Sequence, residues 1–217
     1  MTHTPANDNN LSGLDRNNFQ KDIGGKKTDL FILTNDLGME VAATNYGCAL
    51  LSIMVPDKYG KIGNVLLGHD SIEHVINSPE PYLSTIIGRY GNRIAKGRFT
   101  LYGEEHRLAI NNGPNALHGG PTGFHARVWD ATQRDSSTVV FRYTSADGEE
   151  GYPGNLRVKV TYRLEHDINA LVIEYKATTD KATVVNLTSH GFFNLAGIAN
   201  PTPTVLNNRV TINADYY

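Results

Sequence analysis

The chain has 217 residues, of which 40% are hydrophobic and 19% charged. That is enough apolar material to bury the core of one large domain or two small ones, and it excludes an intrinsically disordered chain. The net charge of −2, with Lys26–Lys27 the only tight basic pair, excludes the basic footprint that nucleic acid or an anionic membrane surface requires, so neither is expected as a partner.

Residues 1–10 are polar and carry no apolar h-region, so they do not read as a secretory signal. No apolar run approaches the length needed to span a bilayer, and a cytoplasmic location is the expectation. Residues 1–27, rich in Asn, Asp, Thr, Gly and Lys, read as a flexible leader with at most one early strand. Residues 28–217 read as a single domain. Leu30–Leu33 is a short apolar run, and Met39, Val41 and Ala43 alternate with their neighbours. Cys48, the only cysteine, can form neither an internal disulfide nor a zinc site by itself and reads as a small buried apolar residue. Leu51, Ile53 and Val55 alternate up to the turn Pro56–Gly60. Ser71–Asn77 is one short helical turn ahead of Pro79 and Pro81.

The clearest strand is Leu156–Leu164. Leu156, Val158, Val160, Tyr162 and Leu164 face one way, while Arg157, Lys159, Thr161 and Arg163 face the other. Val139-Phe141-Tyr143 and Leu171-Ile173-Tyr175 repeat the pattern on either side, with Asp167–Ala170 as a hairpin loop. Val210–Tyr217 reads as a strand with no closing turn behind it, which leaves an edge exposed or a core incomplete. No stripe of helical period runs beyond two turns, and no repeat is present. Many short strands with Gly, Pro and Asn turns predict an all-β sandwich.

Three segments combine turn residues with side chains able to do chemistry. In Gly88–Gly97, Asn92 and Arg93 set an amide beside a guanidinium, a pair able to hydrogen-bond several sugar hydroxyls; a bulged loop with surface charges is the plainer reading. In Asn111–Gly120, His118 lies between a leucine and two glycines that would let a ligand approach it, or it satisfies the loop backbone. In Val184–Gly197, a strand runs into Ser189-His190-Gly191 and an aromatic pair follows, which suits an imidazole for proton transfer and a ring face for a pyranose; a buried histidine bonded to the sheet is the alternative. The remaining histidines, His3, His69, His74, His106, His125 and His166, fall at unrelated spacings and make no metal pattern. Ser189 and His190 are strand neighbours on opposite faces, not a nucleophile pair. Glu149-Glu150 in a Gly/Pro loop reads as a solvated turn rather than a catalytic carboxylate pair.

Four stretches, G-N-R-I-A-K-G (91–97), N-N-G-P-N-A-L-H-G-G (111–120), D-G-E-E-G-Y-P-G (147–154) and N-L-T-S-H-G-F-F-N-L-A-G (186–197), closely resemble the aldose 1-epimerase (galactose mutarotase) family, in that family's order. V-P-D-K-Y-G-K near Val55 and I-N-A-D-Y-Y at the end extend the likeness. The resemblance implies a galactose mutarotase-like β-sandwich, or supersandwich, here incomplete. It implies a cofactor-free isomerase that interconverts the α and β anomers of free hexoses, with a small-molecule sugar as partner. His190 matches the family's general acid, which protonates the ring oxygen, and His118 the second site histidine, which hydrogen-bonds the sugar. Asn92 and Arg93 match the pair that grips hydroxyls, and Phe192 an aromatic beside the sugar. Family members are longer, and the resemblance puts their general-base glutamate and a substrate-binding aspartate beyond Tyr217. The chain is therefore expected to be a fragment of low activity and poor stability. A non-catalytic sugar-binding sandwich and a hexose-6-phosphate epimerase are the alternatives; the intact N-G-P-N-A-L-H-G-G loop looks like the free-sugar branch.

Overall fold

The structure, a computed structural model, describes residues 10–200 and 204–216. Strands β1 (Asp22–Ile23) and β2 (Lys26–Lys27) form a small hairpin. They are followed by β3 (Leu30–Thr34), β4 (Glu40–Thr44), β5 (Leu50–Pro56) and β6 (Ile62–Asn64), which build one antiparallel sheet in chain order. The helical turn α1 (Ile72–Ile76) starts where Ser71 accepts the backbone N–H of His74 at 3.3 Å, a side-chain N-cap. Short strands β7 (Ile86–Ile87), β8 (Arg93–Ile94), β9 (Arg98–Leu101), β10 (Glu104–Arg107) and β11 (Ala116–Leu117) come next. Then β12 (Asp130–Gln133), β13 (Thr138–Ser145), β14 (Leu156–Leu164) and β15 (Leu171–Thr179) make the second antiparallel sheet, again in chain order. The last strand is β16 (Thr188–Ser189).

The period-two pattern decides the packing. β14 pairs with β13 from Ser145↔Leu156 to Thr138↔Arg163, and with β15 from Leu156↔Thr179 to Leu164↔Leu171. Val139 and Phe141 thus share a face with Val158, Val160, Tyr162 and Leu164. That face buries against Leu33, Val41, Ala43, Leu50 and Ile53 of the first sheet. This is sheet on sheet, the expected β-sandwich, and each large side chain so buried contributes about 1.5–3 kcal/mol before chain entropy is counted. The Tyr162 hydroxyl donates to the Cys48 carbonyl at 2.7 Å and ties the sheets together, while the Cys48 side chain is fully buried, as its neighbours in sequence imply. Trp129 fills the core beside Phe124, edge to face at 5.4 Å, and its indole N–H donates to the Phe124 carbonyl.

The outer face of the first sheet is covered too. Residues 10–27, read from composition as leader, hold a 3₁₀ turn over Arg16–Phe19 and the β1–β2 hairpin. Phe19 is fully buried against Leu30, Ala42, Leu51, Ile72 and Val75. The buried Glu40 carboxylate accepts the Leu11 and Ser12 backbone N–H groups at 2.7 and 2.9 Å. Residues 1–9 lie outside the described part.

The strand expected over Val210–Tyr217 is not a strand at 210–216, and Tyr217 lies outside the described residues. Val210 and Ile212 keep their apolar alternation yet stand exposed, because a strand exists only where a neighbour supplies ladder partners, and no described strand pairs with this segment. No helix among the described residues is long and apolar enough to cross a membrane.

Candidate active site

The two-residue ladder between β8 and β11 sets Arg93 opposite Leu117 and Ile94 opposite Ala116. One residue further on, the chains close a reciprocal pair. His118 N–H donates to the Asn92 carbonyl at 3.0 Å, and Asn92 N–H donates to His118 Nδ1 at 2.9 Å. Both residues sit at positive φ, +67° for Asn92 and +53° for His118, a region that asparagine tolerates better than most side chains. Because Nδ1 accepts a backbone N–H, the neutral imidazole must carry its proton on Nε2, which makes that nitrogen the donor. Burial holds the His118 pKa down to about 4, helped by the nearby His190 and the Arg93 charge.

His190 arrives from the other direction. β16 pairs with β7, Thr188 with Ile87 and Ser189 with Ile86. The ladder then continues as His190 N–H donates to the Thr85 carbonyl at 2.9 Å, while its own carbonyl accepts Ser84 N–H at 3.0 Å. Its ring stands edge-on to His118, centroids 4.9 Å apart and planes at 81°. The Phe192 ring lies 5.2 Å from His190. Residues from three distant segments, His118, His190 with Phe192, and Asn92 with Arg93, are thereby gathered around one spot. Asn92 and Arg93 are exposed; the guanidinium donates to Asn112 Oδ1 at 3.0 Å and Asn92 Oδ1 at 3.2 Å.

Strand alternation separates this spot from an apolar trough of about 350 Å³. Ser189 and Gly191 line that trough with Met39, Leu50, Ile53, Leu171, Ile173 and Phe193, whereas His190 between them does not.

Two further residues belong to the site without any signal in the sequence. The Tyr82 ring lies 4.7 Å from His118, 4.7 Å from His125 and 6.1 Å from His190. His125 is buried, and burial holds its pKa down to about 4, aided by His118 and the Arg127 charge. Its seven-residue spacing from His118 would suit two turns of a helix, but Gly119, Gly120, Pro121 and Gly123 lie between them and no helix joins them, so only the folded chain shows that both pack on one phenol. The other described histidines sit elsewhere: His74 meets Asp70 at 2.6 Å, and His106 stacks on Phe99. Among the described residues, no group of three or more His, Cys, Asp or Glu is placed to hold a metal ion.

Two expectations change. The glycines after His118 do not open a path for a ligand. A Cβ on Gly119 would overlap the Gly88 carbonyl, and one on Gly120 would overlap the Glu150 carboxylate, so these glycines serve close packing of the chain. Nor is Glu149-Glu150 a solvated turn. Glu149 takes the Tyr143 hydroxyl at 2.5 Å, the Ser145 hydroxyl, and Arg127 at 3.0 Å, while Glu150 takes the Thr122 hydroxyl. These carboxylates are occupied in holding the Asp147–Gly154 loop. The buried Arg89 holds the same loop from inside, donating to the carbonyls of Ser145, Ala146, Pro153 and Gly154 at 2.7–3.0 Å and to the Ser145 hydroxyl at 2.9 Å.

Known proteins are similar to this chain in sequence and in fold. A family model described as aldose 1-epimerase matches residues 29–217. The chain is 43% identical over 195 residues to galactose mutarotase of Bos taurus, covering 90% of this chain and 55% of that one. It is 41% identical over 193 residues to aldose 1-epimerase of Escherichia coli K12, covering 89% and 54%. The crystal structure of galactose 1-epimerase from Lactobacillus acidophilus superposes with a TM-score of 0.72 at 32% identity, over 81% of this chain and 51% of that one. The chain thus spans about half the length of the curated relatives it matches. Family model, relatives and two-sheet fold agree: the chain belongs to the aldose 1-epimerase family.

Proposed function

We propose that this chain carries the sugar-gripping and proton-donating part of an aldose 1-epimerase site, acting on the α and β anomers of a free hexose such as glucose or galactose. The observation that carries the reading is the edge-on pair His118–His190, with Asn92 and Arg93 beside it. Mutarotation must place a proton on the ring oxygen and remove one from the anomeric hydroxyl. The C1–O5 bond then breaks, the C1–C2 bond rotates, and the ring closes on the other face of C1. His190 is the proton donor to the ring oxygen, a role worth roughly 10²–10⁴-fold. His118, with its Nδ1 taken by Asn92 N–H, is a hydrogen-bond donor through Nε2 rather than a base. Arg93 and Asn92 grip hydroxyls, and Phe192 offers its ring to the pyranose face. No carboxylate hydrogen-bonds either imidazole among the described residues, so the acceptor for the anomeric proton is assigned to no residue described here.

Polarimetry of residues 1–217 with fresh α-D-glucose and α-D-galactose, against buffer and a His190→Ala control, tests this. A rate above buffer that disappears in the variant supports the full reaction and means that a base exists among these residues. A rate equal to buffer, with galactose binding seen by saturation-transfer NMR and lost in His118→Ala, supports the partial site. A folded chain with neither rate nor binding ends the reading.

A further inference from the structure

Tyr82 touches both halves of the site. Its ring packs on His118 at 4.7 Å with planes at 70°, and on His125 at 4.7 Å with planes at 65°. It reaches His190 at 6.1 Å. Its backbone reaches the His190 side as well. The Tyr82 carbonyl accepts both the Thr85 hydroxyl at 3.0 Å and the Thr85 N–H at 3.2 Å, and the Thr85 carbonyl in turn accepts His190 N–H. Its hydroxyl reaches the His118 side, accepting the Asn111 amide at 3.4 Å. That same amide mimics a ladder with Leu117, donating to its carbonyl at 3.0 Å and accepting its N–H at 2.7 Å, directly before His118. Segments far apart in the chain are thus indexed to one phenol.

We propose that Tyr82 is a positioning residue of the site: its ring walls His118 from water and fixes the angle His118 presents to His190. The geometric part stands by itself; the consequence for sugar rests on the epimerase reading. The ring does most of this. At 3.4 Å the hydroxyl bond is long and weak, whereas three aromatic neighbours at 4.7–6.1 Å are in the range where edge-to-face contacts count. The groups facing His118 are Tyr82, His190, His125 and Arg93; Arg127 stands beside His125 and Glu80 beside Tyr82. Without the phenol, water reaches the imidazole, its charged form becomes cheaper, and the ring is free to turn away from the Asn92 N–H.

The test is ¹⁵N NMR of the imidazoles in the 217-residue chain, with His118 assigned through His118→Gln, and a galactose titration beside it. In the unaltered chain, His118 shows one tautomer, protonated on Nε2, and nuclear Overhauser contacts to the Tyr82 ring. Tyr82→Leu moves the His118 titration midpoint up by roughly one pH unit or more and mixes its tautomers. It weakens galactose binding about fivefold or more. Tyr82→Phe keeps the single tautomer, with the midpoint within about 0.3 units and binding within about twofold, because the ring remains. Tyr82→Leu with an unchanged tautomer and midpoint overturns the proposal. Should Tyr82→Leu fail to fold, the absence of Tyr82–His118 contacts in the unaltered chain, or a Tyr82→Phe chain that loses the single tautomer, overturns it equally. A shifted His118 in a chain that binds no sugar ends the functional reading and leaves the positioning; sugar binding with an unmoved His118 does the reverse.

Discussion

Arg89 and Arg93 stand in one Gly-rich segment and live in opposite surroundings. Arg89 is buried, and it spends its N–H groups on carbonyls and a hydroxyl of the Ser145–Gly154 region. Burial pulls its pKa down, and the Glu149 and Asp147 carboxylates pull it back. Arg93 is exposed and held only by Asn112 and Asn92, beside His118. A dense motif can therefore be dense for two reasons. Around Arg89 the residue types satisfy buried backbone groups, which is a folding requirement. Around Arg93 they leave polar groups exposed at the rim of an imidazole pair, which is what the proposed sugar site requires.

The sharpest way to break this contrast is Arg89→Met. It removes the charge but leaves four carbonyls facing an apolar side chain, so the loss should be about 3–5 kcal/mol of folding stability. Arg89→Lys should recover less than half, since an ammonium cannot span the same fork of acceptors. Urea unfolding measures both, and an Arg89→Met chain within about 1 kcal/mol of the parent would refute the anchoring role. Next in size is Gly119→Ala. Its Cβ has no room at the Gly88 carbonyl, and φ of +85° adds strain, so a loss of about 2–4 kcal/mol is expected. A loss below about 1 kcal/mol would mean that the two segments are not in register there.

Much of the fold was legible because it follows from local pattern. The alternation over Leu156–Leu164 is the burial pattern of β14 except at Thr161, which is buried too, and the helical turn expected over Ser71–Asn77 is α1. The hairpin at Asp167–Ala170 is there, closed by Glu165 N–H on the Ala170 carbonyl. Pairing is not local, which is why Val210–Asp215 keeps a strand-like sequence without being a strand. The site was legible only where turn chemistry surrounds the functional side chain. Asn92, Arg93, His118, His190 and Phe192 stood out on residue type and resemblance, and the fold gathers them. Tyr82 and His125 carry no such mark: their place comes from ring contacts across distant segments. Glycine misled for a related reason. Sequence shows that a Cβ is missing, but not whether a ligand or the Gly88 backbone fills the space.

A smaller effect sharpens the same contrast through pH. The Arg89 region keeps a buried charge and hydrogen-bonds it to carbonyls and a hydroxyl; burial keeps the His118 and His125 rings uncharged. Both imidazoles have folded-state pKa values near 4, against an ordinary 6.5. As pH falls below 6.5 the unfolded chain takes up protons there and the folded chain does not, so stability drops. The contribution is whole above about pH 6.5, declines down to about pH 4, and levels off below; solvent around the half-buried His118 and relaxation around both rings cut the full linkage value of about 7 kcal/mol for the pair to about 1–3 kcal/mol. Urea unfolding at a series of pH values reads it, and His125→Gln should flatten part of the slope. A parent chain equally stable at pH 7 and pH 4.5 would show that these rings are not kept neutral by the fold.

The smallest effect on stability belongs to Arg93→Ala, and its smallness is the point. The guanidinium is exposed, its two bonds go to side-chain amides that water can satisfy, and no buried group is orphaned by its removal. Unfolding free energy should stay within about 0.5 kcal/mol of the parent. Galactose binding should fall about tenfold, because a charged donor aimed at hydroxyls is lost where nothing replaces it. The contrast with Arg89→Met then becomes a double dissociation: one arginine moves stability, the other moves binding. If Arg93→Ala lowered stability by more than about 1 kcal/mol, the exposed arginine would be part of the scaffold, and the rim of the site would have to be sought among Asn111, Asn112 and Tyr82 instead.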